Sequence, residues 1–158
     1  MAEVVGPFGA DLQRRGLASR IGQDHSLLKA KLMSDWKPAT YPSVSPYLIC
    51  HDPDQVIAFL KSVFGASLVR RFDRPDGSLM HGEIRIDDSI IMIGGGATEY
   101  KSSEVHVHVY VSDAQAVYDR AMASGAEPVQ PPVRKDADDD LRGGFRDPAG
   151  HIWWVATQ

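Results

Sequence analysis

Val105-His106-Val107-His108-Val109-Tyr110-Val111-Ser112-Asp113 is the stretch on which the fold turns. Successive side chains of a β-strand point to opposite faces, so strict alternation of valine with other residues marks a strand buried on one side. Val105, Val107, Val109 and Val111 then pack under helices, while His106, His108 and Tyr110 point the other way. Asp113 is suited to cap a helix, because its side chain can accept hydrogen bonds from free N–H groups of the first turn. The helix runs from about Asp113 to Ser124, carries Val117, Ala121 and Met122, and stops at Gly125.

The same grammar occurs upstream. Val44–Asp52 reads VSPYLICHD, a strand and an Asp cap offset by 61 residues from Val105–Asp113. Pro53 fits the first helical position, where no N–H is needed, and Gln55 completes a capping-box-like start. Val56, Ile57, Leu60, Val63 and Phe64 supply an apolar face, and Gly65 ends the helix. Both helices are followed by Gly-Ala and then by three strands. In the first unit these are about Ser67–Phe72, Met80–Ile86 and Ser89–Ile93, turning at Asp76-Gly77 and Asp87-Asp88. In the second they are about Glu127–Val133, Leu141–Arg146 and His151–Ala156, with Asp147-Pro148-Ala149-Gly150 as a turn.

A pattern repeated in order and spacing is a duplicated unit. The expected fold class is α+β, with two βαβββ modules at about 43–97 and 104–158. Each module is small for independent stability, so the two should share a sheet or a core. Residues 1–40 lack strand alternation and read as an N-terminal extension to a domain at 41–158. Within the extension, Asp24 is placed to cap a short helix bearing Leu27, Leu28 and Leu32; Thr98–Ser103 is a polar linker.

Bulk properties narrow the function. The chain has 158 residues, 43% of them hydrophobic, and a formal net charge of −4. There is no basic excess to support nucleic-acid binding and no apolar run of membrane-spanning length. The single cysteine, Cys50, lies in an apolar stretch and suits a buried residue in a reducing compartment, so a cytoplasmic location is expected. The acidic run at Asp136–Asp140 has Leu141 where a calcium loop requires glycine. Gly94-Gly95-Gly96 lacks the Lys-Ser/Thr of a phosphate loop.

The strand–Asp cap–helix–Gly-Ala order, the segment HGEIRIDDSIIMIG from His81 and the ending FRDPAGHIWWVAT from Phe145 resemble the glyoxalase/bleomycin resistance protein/dioxygenase (vicinal oxygen chelate) superfamily, in its glyoxalase-like branch. The resemblance implies paired βαβββ modules forming a cupped mixed sheet, usually in a homodimer. It also implies one of two chemistries: metal-dependent catalysis, as in glyoxalase I, ring-cleaving dioxygenases and fosfomycin-resistance enzymes, or metal-free binding of bleomycin-like antibiotics. Carried onto this sequence, the family's metal-ligand positions fall on Ser45, Met92, His106 and Trp154. Of these only His106 is a good ligand for a divalent ion.

The expected site is therefore a cup for a small amphipathic or aromatic molecule, with no cofactor. Tyr47, Met92, Phe145 and Trp154 would supply apolar and stacking surface; His81, Glu83, His106 and His108 would orient polar groups. The alternative is a metal-dependent lyase or dioxygenase that holds Zn, Ni, Mn or Fe at a shifted site of His81, Glu83, His106 and His108. A third reading is an interaction protein with a vestigial cup. Of the adjacent pair Trp153 and Trp154, one should point into the cup and the other outward, where it can join a dimer interface.

Overall fold

The computed structural model describes residues 36–96 and 102–158. The helix expected after Asp24 and most of the expected linker lie outside the described residues. The compact unit considered below is Pro42–Gln158.

It contains two βαβββ modules. The first comprises β1 (Tyr47–Cys50), α1 (Pro53–Phe64), β2 (Ser67–Asp73), β3 (Leu79–Ile86) and β4 (Ser89–Gly95). The second comprises β5 (His106–Tyr110), α2 (Ala114–Ala123), β6 (Glu127–Val133), β7 (Leu141–Arg146) and β8 (Ile152–Thr157). Each module folds into its own mixed four-stranded sheet, ordered β1-β4-β3-β2 and β5-β8-β7-β6. In each, the opening strand runs parallel to the last and the other pairs are antiparallel. The α+β class and the repeat follow from the sequence as expected.

The helix ends obey the local chemistry. Asp52 accepts from Gln55 N at 3.0 Å, Pro53 opens α1, and Gly65 closes it with φ +65°, a left-handed conformation glycine adopts without a Cβ clash. Asp113 accepts from Ala116 N at 2.9 Å at the head of α2.

The helices lie between the sheets. α1 packs on β1, β3 and β4; α2 packs on β6, β7 and β8; and the helices pack on each other. Arg120 Nε donates to the Val63 carbonyl at 3.0 Å, and the Ser62 and Ser124 hydroxyls meet at 2.9 Å. Phe64 of α1 reaches the second sheet, with ring centroids 6.2 Å from Phe145 and 5.3 Å from Trp153. A single core thus joins Leu48, Leu60, Ile84 and Ile93 to Phe145, Trp153 and Val155. Val107 is buried in it, with Val105, Val109 and Val111 packed against it, while His106, His108 and Tyr110 are exposed on the far side.

One side chain departs from simple alternation, and one aromatic lies elsewhere than expected. Met80 belongs by periodicity to the core face of β3, yet it is exposed and Leu79 is buried instead. Opposite β2, Phe72 pairs with His81 and Asp73 with Leu79, so Met80 is an extra bulged residue and the faces exchange there. Trp153 is fully buried in the core rather than available to an interface, and its indole N–H donates to Asp147 Oδ2 at 2.9 Å.

Candidate functional site

Because the helices fill the space between the sheets, the outer face of each sheet is left for chemistry. The residues expected to form one cup divide between these two faces. Tyr47, His81, Glu83 and Met92 come together on the first sheet, where Met92 is in register with both Tyr47 and Glu83. His106, His108 and Trp154 come together on the second, with His108 opposite Trp154. Phe145 joins neither group. It is fully buried on the helix side against Phe59, Phe64 and Tyr118, because its place in β7 shares the core-facing parity of Gly143 rather than the outward parity of Gly144.

The first face carries a hydrogen-bonded chain. Tyr47 Oη lies 3.2 Å from His81 Nδ1, and His81 Nε2 lies 3.2 Å from Glu83 Oε1. The Tyr47 and His81 rings meet edge to face at 89°, and Phe72 flanks the imidazole. Glu83 is only 5% exposed, and Arg70 Nε stands 3.7 Å from its other oxygen. The carboxylate can only accept, so a neutral His81 carries its proton on Nε2 and its bare Nδ1 accepts from the Tyr47 hydroxyl. Gly94 makes this possible, since a Cβ there would lie 3.0 Å from Tyr47 Oη and 2.9 Å from Ile49 Cδ1.

The second face repeats the motif with other residues. Trp154 Nε1 donates to His106 Nδ1 at 3.1 Å, and His106 Nε2 meets Glu104 Oε1 at 3.2 Å. Arg146 Nη1 donates to Glu104 Oε2 at 2.6 Å. That bond, with His106 next, holds the Glu104 carboxyl below its usual range. The Trp154 ring lies over Gly144, where a Cβ would come within 2.6 Å of it. Beside it a groove of about 380 Å³ is lined by His108, Gln130, Val133, Lys135, Asp139, Arg142 and Trp154. Tyr110 at the edge donates to Asp140 Oδ2 at 3.1 Å, and that acceptor pushes the phenol pKa up.

These contacts bear on metal binding. An indole N–H donates only, so it fixes the lone pair of His106 Nδ1, and Nε2 is engaged by Glu104. At the other family positions, Met92 offers only a soft thioether and Ser45 precedes β1. Within one chain the shifted set is split, His81 and Glu83 on one sheet and His106 and His108 on the other. Among the described residues no three His, Cys, Asp or Glu side chains are grouped to hold an ion. At the ligand positions that the family resemblance implies, the residues present do not fit a divalent metal.

Glu104, Arg146 and Arg70 were not singled out from the sequence, although Glu104-x-His106 repeats the same-face spacing of His81-x-Glu83. Glu104 stands before the regular part of β5, and Arg146 is 42 residues away, so only the assembled sheet brings them together.

Paired βαβββ modules with polar and aromatic chemistry on the sheet faces away from the helices define a recognisable class. Residues 42–155 match the Glyoxalase/Bleomycin resistance protein/Dioxygenase superfamily, and the chain belongs to it. An uncharacterized protein of Mycobacterium bovis is 32% identical over 123 residues, covering 71% of this chain and 80% of its own. TioX from a Micromonospora species is similar in structure, with a TM-score of 0.61 and 25% identity, over 73% of this chain and 98% of that one. A FosX fosfomycin resistance protein from Listeria monocytogenes, solved with Mn(II) and a dihydroxypropylphosphonic acid, shares the fold at a TM-score of 0.57 and 20% identity, over 71% of this chain and 86% of that one.

Proposed function

We propose that this protein binds a small amphipathic or aromatic molecule without a catalytic metal, in a cup built by two copies of the chain. The first sheet of one copy would face the second sheet of the other. The observation that carries the metal-free reading is Trp154. It stands where metal-dependent relatives place a carboxylate, and its indole N–H is bonded to the one retained ligand, His106. An indole there removes a negative charge and adds a flat apolar surface, which suits a neutral or aromatic ligand. Pairing is supported by the division of the site residues between two faces that one helical layer separates, and twofold dimers are the commonest assembly.

Native mass spectrometry of protein purified without chelator would identify a co-purifying molecule and the oligomer together. Trp154→Ala should weaken binding of that molecule by about 1–3 kcal/mol, the loss of a buried aromatic contact, while EDTA leaves it unchanged. Stoichiometric Zn, Ni, Mn or Fe whose removal abolishes binding would reverse the reading in favour of a metalloenzyme. A monomer mass by light scattering at micromolar concentration would sink the two-chain cup.

A further inference from the structure

The chain Tyr47–His81–Glu83 has the connectivity of a nucleophile, a base and an orienting carboxylate. We propose that it is a reactive site in which Tyr47 attacks small acyl electrophiles, His81 takes its proton and Glu83 positions His81. Three independent features carry this. The phenol proton is directed at His81 Nδ1, which leaves the Tyr47 oxygen lone pairs to the outer face. The imidazole is held from its other nitrogen by a nearly buried carboxylate, so the positive charge it gains on taking the proton is matched at 3.2 Å. Gly94 keeps clear the space in which the Tyr47 ring lies to reach it.

The step balances within the site and the electrophile. As Tyr47 Oη bonds to the acyl carbon, its proton passes to His81 Nδ1. The bond from that carbon to the leaving oxygen breaks, and the oxygen departs with the electron pair. The product is O-acylated Tyr47 beside an imidazolium paired to Glu83. The relay lies within one sheet of one chain, on the face that the proposed cup uses, and acetylation of Tyr47 reads it without any ligand or dimer.

Tyr110 is the internal control. At 67% exposed against 50% for Tyr47, it is the more accessible phenol, but its partner is the carboxylate of Asp140 rather than a base that can accept its proton to a neutral nitrogen. Exposure alone would therefore favour Tyr110. The probe is p-nitrophenyl acetate, with nitrophenolate release followed optically and acetylation of each tyrosine quantified by peptide mass spectrometry.

Tyr47 should be acetylated on the order of a hundredfold faster than Tyr110, a typical contribution of a positioned base. His81→Ala should bring the Tyr47 rate down to that of Tyr110. Gly94→Ala should do the same while His81 and Glu83 remain, which decides the matter if the histidine variant is poorly folded by circular dichroism. Glu83→Gln keeps an acceptor oxygen but loses the charge, so the rate should fall while nitrogen NMR shows the His81 proton still on Nε2. Equal labelling of Tyr47 and Tyr110, or labelling of Tyr47 indifferent to both His81→Ala and Gly94→Ala, would overturn the proposal.

Discussion

Asp147 shows how much a single side chain in the β7–β8 turn holds together. It is nearly buried, Oδ1 accepts from Ala149 N and His151 N, and Oδ2 accepts from the Trp153 indole, all at 2.9 Å. Asp147→Ala strands these donors inside the protein and should cost about 2–3 kcal/mol, read from urea unfolding. Cys50 is the opposite case, a buried group asked to do nothing. Burial, helped by the charges of Asp147 and Asp52, pushes its thiol pKa up to about 12. A disulfide reagent at neutral pH should leave it unmodified until denaturant is added. Glu104 gives a pH signature. Its folded pKa lies below the ordinary 4.5, so the Arg146–Glu104–His106 linkage is complete above that value and is lost only as pH falls through the lower folded value. A carboxyl NMR titration should place the Glu104 midpoint below 4.5 and move it upward in Arg146→Gln.

At the scale of elements, most of the fold was legible. The helices announced their ends because capping is local: Asp52 and Gly65 satisfy or release backbone groups within one turn of themselves. Strand faces are legible wherever alternation runs unbroken, as for His106 and His108 opposite the valines. Alternation failed at Met80, since a bulge is set by the pairing of β2 with β3 and leaves no mark in β3 alone. At Phe145 the aromatic character suggests a ligand contact, but the parity is that of the core. The close approaches over Gly94 and Gly144 were invisible too, because a glycine in a strand does not say which ring lies on it. Gly144→Ala tests one of them: the added methyl lifts the Trp154 ring, so its bond to His106 should break and Trp154 fluorescence should change with the fold intact.

For the molecule as a whole, duplication and family were legible, and the division of the site between opposite faces was not. Sequence position shows that Tyr47 and Trp154 each point away from the helices; it does not show whether the sheets bend around one space or look in two directions. Packing of α1 on α2, and of Phe64 under the second sheet, settles this within the chain. The proposed two-chain cup has a direct consequence. Co-assembling chains mutated at Tyr47 with chains mutated at Trp154 should restore one unaltered cup per mixed dimer, so ligand binding should recover in the mixture when neither parent binds. Binding that stays absent in verified mixed dimers would place the ligand within one chain.

The shared helical layer also separates two demands that proteins usually impose on the same residues. Stability here rests on the faces turned toward α1 and α2, while the proposed recognition uses the faces turned away. On that plan, side chains on the outer faces, Met92 and Trp154 among them, can be exchanged without reopening the interior. The same back-to-back plan can thus be inherited intact by proteins whose ligands have nothing in common.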